Sequence, residues 1–217
     1  LLDLYSYTTS SRDQVLNFLS RLNDRLWMPN QVAKEYHIRR HLIISERYKF
    51  LKDKKTEIAT PLRKYIQKLD ESKKYIGDLI KNKELKNLCT EFEKNLLNHF
   101  DSIEKSFPDY LSNDEIRDKL FSLYNDRVGD APSYSYLKEL IEEGKLRFES
   151  EIPPGYCDNY KSGDLNKIGD LIIWKQIIEY AKQSHKDIIF ITHDERTKDW
   201  CDKTITIKKK DNISYIN

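Results

Sequence analysis

The chain has 217 residues, with 38 Lys plus Arg against 36 Asp plus Glu and a formal charge of +2. Hydrophobic residues make up 38% and charged residues 34%, and 14 Tyr, 8 Phe and 3 Trp supply core material, which excludes a disordered chain. No apolar run approaches the ~20 residues of a membrane span, so no membrane partner is expected. The start, Leu1-Leu2-Asp3-Leu4-Tyr5, lacks the basic region of a signal peptide. Cys89, Cys157 and Cys201 are odd in number and form no CxxC pair. That disfavours a disulfide framework and a cysteine-held zinc, and a reducing, cytoplasmic setting is expected. The near-neutral total neither argues for nucleic acid nor excludes it, because patches matter more than totals.

In chain order, residues 11–26 place Val15, Leu16, Phe18, Leu19 and Leu22 at helical spacing, behind Ser10, Ser11 and Asp13 as capping residues. Residues 25–28 read as a short strand closed by Pro29. Asn30 then caps a helix that starts at Gln31 and carries Val32, Tyr36, Ile43 and Ile44. From residue 48 to 126 Lys and Glu dominate. One apolar stripe there is Leu62, Tyr65, Ile66 and Leu69, and another is Leu85, Leu88, Phe92, Leu96 and Phe100. This predicts an antiparallel helical hairpin and a shorter helix over 113–124, punctuated by Pro61 and Pro108. The chain thus divides into a core of residues 1–47 and 127–217 and a helical insertion over 48–126.

Residues 129–132 predict a turn, and 133–144 a short helix with Gly144 as its C-cap. Residues 151–156 read as a rigid Pro-Pro-Gly loop, followed by a polar stretch to Gly169. Residues 170–182 form an amphipathic helix with Leu171, Ile172, Trp174, Ile177 and Ile178 on its apolar side. The unbroken run Ile188-Ile189-Phe190-Ile191 suits a strand buried on both faces, and 204–207 a further strand. Helix and strand in alternation predict an α/β fold, a parallel sheet flanked by helices, with the helical insertion added to it.

Two carboxylates stand out. Open α/β sheets bind ligands beyond the carboxyl ends of their strands, where Asp194 would fall. Asp170 begins the preceding helix, so both acids can share one edge. Mg²⁺ takes one or two carboxylates plus waters and phosphate oxygens. A metal so held polarises a phosphate and generates hydroxide. Alone, Asp170 reads more readily as a helix cap and Asp194 as a turn residue.

Taken together the motifs resemble a known family. They are Ile152-Pro153-Pro154-Gly155-Tyr156, Gly169-Asp170-Leu171-Ile172-Ile173-Trp174-Lys175, and Ile189-Phe190-Ile191-Thr192-His193-Asp194 with Arg196, Lys198, Asp199 and Trp200. At the other end, Trp27-Met28-Pro29-Asn30-Gln31-Val32 with Glu35, Tyr36 and His37 agrees. In this order they resemble the bacterial PIN-like domain family, a PIN nuclease core with a helical insertion. The resemblance implies a metal-dependent endonuclease, mostly a ribonuclease, using Mg²⁺ or Mn²⁺. It implies Glu35, Asp170 and Asp194 as metal ligands at the second, third and fourth acidic positions, with Thr192 as the hydroxyl residue beside the last. The family's first acid, on a strand just before the Leu1-Leu2 pair, has no counterpart here, and Asp3 falls after that pair. An N-terminal segment bearing it is therefore expected upstream. Such families serve as toxins or antiviral defence effectors, which implies RNA or DNA as substrate and a regulatory protein partner or fused domain; a homo-oligomer stays open.

For the nucleic acid, Lys175, Arg196 and Lys198 are candidates to steady phosphate charge, Arg39 and Arg40 to meet the backbone, and Trp200 to stack on a base. Each also reads as ordinary surface charge or core, and Arg39 and Arg40 also as salt-bridge partners of Glu35 and Glu46. His37 and His41 have the i, i+4 spacing of a zinc pair, but Arg39 and Arg40 between them oppose a cation. The absence of GxxxxGK[ST], GxGxxG and GxSxG argues against an NTPase, a dinucleotide enzyme and a serine hydrolase. Two competing readings are a degenerate nucleic-acid-binding domain and a protein-interaction module whose helical arm is the functional part.

Overall fold

The computed structural model describes residues 1–76, 82–193 and Trp200. Its longer elements are all helices: α1 (Thr9–Leu22), α2 (Asn30–Ile76), α3 (Asn82–Ser106), α4 (Glu115–Tyr124), α5 (Tyr134–Glu149), α6 (Asp164–Lys167) and α7 (Gly169–Ser184). The chain falls into two compact units. One comprises Leu1–Phe18 and His37–Phe121, the other Leu19–Tyr36 and Ser122–Asn217.

The expected parallel sheet is absent among the described residues, which corrects the α/β assignment. Strand pairing there is a single parallel bridge, Met28 to Val128. Its bonds run from Met28 N–H to Arg127 O at 2.9 Å and from Gly129 N–H to Met28 O at 2.9 Å. Residues 25–28 therefore supply one bridging residue after the 3-10 turn Asn23–Arg25. In the run meant as a buried strand, Ile189 is 89% exposed and Ile191 68% exposed. The reason is physical. An apolar run reports local preference, whereas a strand exists only where another chain segment pairs its N–H and C=O groups. Residues 204–207, the other expected strand, lie outside the described residues.

In the first unit α2 and α3 run antiparallel. Tyr48 donates to Pro108 O at 2.7 Å, Lys55 pairs with Asp101, and Arg63 pairs with Glu93 at 2.5 Å. Each step along α2 is matched by an equal step back from Pro108 into α3, so the register holds from Tyr48 to Arg63. Pro61 sits inside α2 without ending it. Proline removes one intrahelical bond. Ala59, 3% exposed, shows that tertiary packing holds α2 at that point. Beneath the hairpin lies a buried polar node. Asp114, 1% exposed, caps α4 by accepting from Arg117 N–H at 2.9 Å. Its other oxygen accepts from Tyr5 Oη at 2.6 Å and from Arg40 at 2.5 Å.

In the second unit Leu140, Ile168, Leu171 and Ile172 form the apolar core, with Tyr136, Leu137, Ile141 and Phe148 packed on it. Ser133 caps α5 through Tyr136 N–H at 3.2 Å. Gly144 does not end α5, which continues to Glu149. Its role is steric: a Cβ there would stand 2.4 Å from Ile168 Cγ2. Trp27 stacks on Tyr180 at 4.1 Å and fills the space over Gly129, where a Cβ would stand 2.7 Å from the indole.

Candidate functional site

The second unit brings two of the predicted acids to one place. Glu35 lies in the second turn of α2 and Asp170 in the first turn of α7. Two glycines make the approach possible. At Gly169 a Cβ would stand 2.9 Å from Glu35 Oε1, so a larger residue would displace that carboxylate from the start of α7. At Gly155 the backbone has φ +86°, and a Cβ would stand 3.2 Å from Asp170 Cβ. Positive φ and close contact both select glycine there. Glu35 thus rests against the residue next to Asp170, and both side chains are half-buried. The N-terminus of α7 favours negative charge at this point.

The loop that carries Gly155 is tied to both neighbouring helices. Arg147 of α5 donates to Pro153 O at 2.6 Å and to Glu143 at 2.7 Å. Lys175 of α7 pairs with the same Glu143 at 2.8 Å. Burial works to raise the Glu143 carboxyl, but the hydrogen bonds from Lys175 and Arg147 outweigh it and hold the group below its ordinary range. Asp158, 1% exposed, pairs with Lys161, and its N–H donates to Gly155 O at 3.0 Å, which closes the loop from the other side.

The acids are also supported from α2. Gln31 Nε2 donates to Glu35 Oε1 at 2.9 Å. The Gln31 N–H donates to Gln176 Oε1 at 3.1 Å, and Gln176 Nε2 donates to Asp130 O at 3.3 Å.

A family model described as a PIN like domain matches residues 1–213. The chain belongs to the PIN like domain family. PIN-like domains are usually nucleases, acting on nucleic acid and generally using divalent metals. No curated protein and no solved structure matches the chain. None of the helices among the described residues is long and apolar enough to cross a membrane.

The donor chemistry of this PIN like domain fits a hard divalent cation. Glu35 and Asp170 supply carboxylate oxygens, and Mg²⁺ typically takes one or two carboxylates and keeps several waters. The two glycines shape a cradle that a Cβ would fill. Among the described residues no group of three or more His, Cys, Asp and Glu is placed to hold an ion. Asp194, the third expected ligand, lies outside the described residues, as do Arg196 and Lys198.

The other expected site residues are placed as follows. Thr192 and His193 are exposed. Arg39 is exposed, whereas Arg40 is buried in the first unit against Asp114. Lys175 is engaged with Glu143. Trp200 is partly buried and packs against Phe190 at 5.0 Å. Trp174 is likewise partly buried on α7. His41 meets the Arg40 guanidinium at 2.9 Å, and His37 packs edge-on against Phe121.

The residues that sequence reasoning passed over are Gln31, Gln176 and the spacing roles of Gly155 and Gly169. Both glycines and Gln31 stood in the quoted motifs, where a polar or small residue next to an acid was the available signal. Gln176 had none, because its partner is 145 positions away.

Proposed function

We propose that this PIN like domain is a metal-dependent endonuclease that hydrolyses phosphodiester bonds of RNA or DNA. The observation that carries the reading is the approach of the Glu35 carboxylate to Gly169 at the start of α7, next to Asp170, with Gly155 packed against Asp170. Structural acids are commonly met by a cation or buried as a cap, as Asp114 is. These two are instead half-buried at the first turn of a helix. In this reading Glu35 and Asp170 hold Mg²⁺ or Mn²⁺ together with Asp194, and Thr192 lies beside the last acid. The domain division into a core of residues 1–47 and 127–217 with an insertion over 48–126 belongs to the same proposal. So does a role as a bacterial toxin or defence effector in the cytoplasm, governed by a protein partner or fused domain.

When bound, such an ion supplies Lewis acidity toward a phosphate oxygen and lowers the pKa of a coordinated water. The chain's own part is positional. Glu35 and Asp170 offer negative charge from two elements whose approach is fixed by backbone packing. The Lys175–Glu143–Arg147 series anchors the Pro153–Gly155 loop beside Asp170. Arg39 is the accessible member of the basic pair on α2 and is assigned to the phosphate backbone; Arg196, Lys198 and Trp200 are assigned to the same substrate from the sequence motif.

The test is cleavage of labelled single-stranded RNA and DNA in Mn²⁺, in Mg²⁺ and in EDTA, with Glu35→Gln, Asp170→Asn and Asp194→Asn alongside. Metal-dependent cleavage lost in all three variants supports the reading and names the substrate. Cleavage that persists in EDTA or in the variants contradicts it.

A further inference from the structure

We propose that Gln31 and Gln176 are positioning residues that set the Glu35 carboxylate for divalent-cation binding, an inference that rests on the metal reading of Glu35 and Asp170. The argument starts from helix ends. The first N–H groups of a helix have no acceptor within it. Gln31 is the second residue of α2, and its N–H finds Gln176 Oε1 at 3.1 Å. Gln176 is 8% exposed, and its amide also donates to Asp130 O at 3.3 Å. One buried side chain therefore pins the start of α2 and the 129–132 segment to α7.

Gln176 stands six residues after Asp170 on the same helix, about 9 Å further along its axis. A single rigid element thus carries one acid and the clamp that places the other acid's helix. The last step is the Gln31 side chain, whose amide donates to Glu35 Oε1 at 2.9 Å, one turn on. Gly169 leaves room for that oxygen, since a Cβ there would stand 2.9 Å from it.

The chemistry of the clamp matters. An amide orients a carboxylate without cancelling its charge, whereas a Lys or Arg in the same place would compete with a cation. Groups that hold a ligating carboxylate in this way tune metal affinity by ~10–100-fold when removed. Gln31 and Gln176 do not touch substrate in this account; they act through Glu35.

The experiment titrates the protein with Mn²⁺ alone, following free Mn²⁺ by its electron paramagnetic resonance signal, and records thermal unfolding of each variant in EDTA. Gln31→Met keeps the length and removes the amide. Gln176→Leu removes both the acceptor for Gln31 N–H and the donor to Asp130 O. The expected result is ~10–100-fold weaker Mn²⁺ binding in Gln31→Met and Gln176→Leu, and loss of binding in Glu35→Gln. Gln31→Met is expected to unfold in EDTA as the parent does, so its weakened binding reads positioning and not stability; should Gln176→Leu fail to fold, Gln31→Met decides alone. Wild-type Mn²⁺ affinity in Gln31→Met, with binding lost in Glu35→Gln, overturns the positioning role and leaves the metal reading standing. A parent protein that takes up no Mn²⁺, or a Glu35→Gln variant that binds as the parent does, overturns both.

Discussion

The two units treat their acids in opposite ways. In the first, Asp114 is sealed from solvent and its two oxygens serve Arg117 N–H, Tyr5 and Arg40. In the second, Glu35 and Asp170 stay half-buried, are reached through glycines, and Glu35 is oriented by an amide. Sealing an acid with a guanidinium turns it into a structural tie, since leaving that charge unpaired in the interior is costly. Leaving acids at the mouth of a helix, oriented by neutral groups, keeps their charge available to an ion. Under the proposed function, the contrast is between a stabilising carboxylate and a metal-binding one.

The largest expected effect breaks the structural side of that contrast. Asp114→Ala removes a helix cap and leaves Arg40 buried without its partner, at a cost of about 3–5 kcal/mol. Urea unfolding should show it, and a loss below about 1 kcal/mol would mean that the node is not a tie. Next comes packing in the second unit. Gly144→Ala gains roughly 0.5–1 kcal/mol of helix propensity but drives a methyl into Ile168, and overpacking costs about 1–3 kcal/mol, so net destabilisation is expected. Equal or higher thermal stability would show that Ile168 has room to move.

The smallest effect concerns pH. Glu143 is held below its ordinary pKa in the folded protein. Its contribution to stability is therefore full above the unfolded value and fades as pH falls through the folded one. Lys175 and Glu143 are both partly exposed, so the contribution stays below about 1 kcal/mol. Glu143→Gln should lower the neutral plateau by less than about 1 kcal/mol and flatten the acid side of the stability profile below pH 4.5, where the two proteins converge. An unaltered acid limb would remove Glu143 from the account of the loop anchor.

Much of the helical layout was legible. The expected helix over 170–182 is α7, Gly169–Ser184, because a strong apolar stripe begins beside an acid suited to a helix start. The 113–124 helix is α4, Glu115–Tyr124, and the structure adds Asp114 as its cap. The hairpin followed from two stripes of three-to-four spacing. The sheet was not legible, because Ile188–Ile191 carries a local signal and pairing is a property of two segments. Gly144 was misread for a related reason: a glycine near a helix end looks like a cap until Ile168 is seen against it. Arg40 read as a phosphate contact or as a salt-bridge partner of Glu35 and Glu46, and only the fold shows it paired with Asp114. For the site, Glu35 and Asp170 stood in recognisable motifs, while Gln176 could be found only once α2 and α7 were placed together.

The most direct test of the central claim is the thermal unfolding of the protein with and without Mn²⁺, beside Glu35→Gln, Asp170→Asn and, as a control acid, Glu143→Gln. The account predicts that Mn²⁺ at a hundredfold excess over its Kd stabilises the parent and Glu143→Gln by about 2.7 kcal/mol and leaves the other two variants where they were. A Mn²⁺ shift of the same size in Glu35→Gln and Asp170→Asn would contradict it.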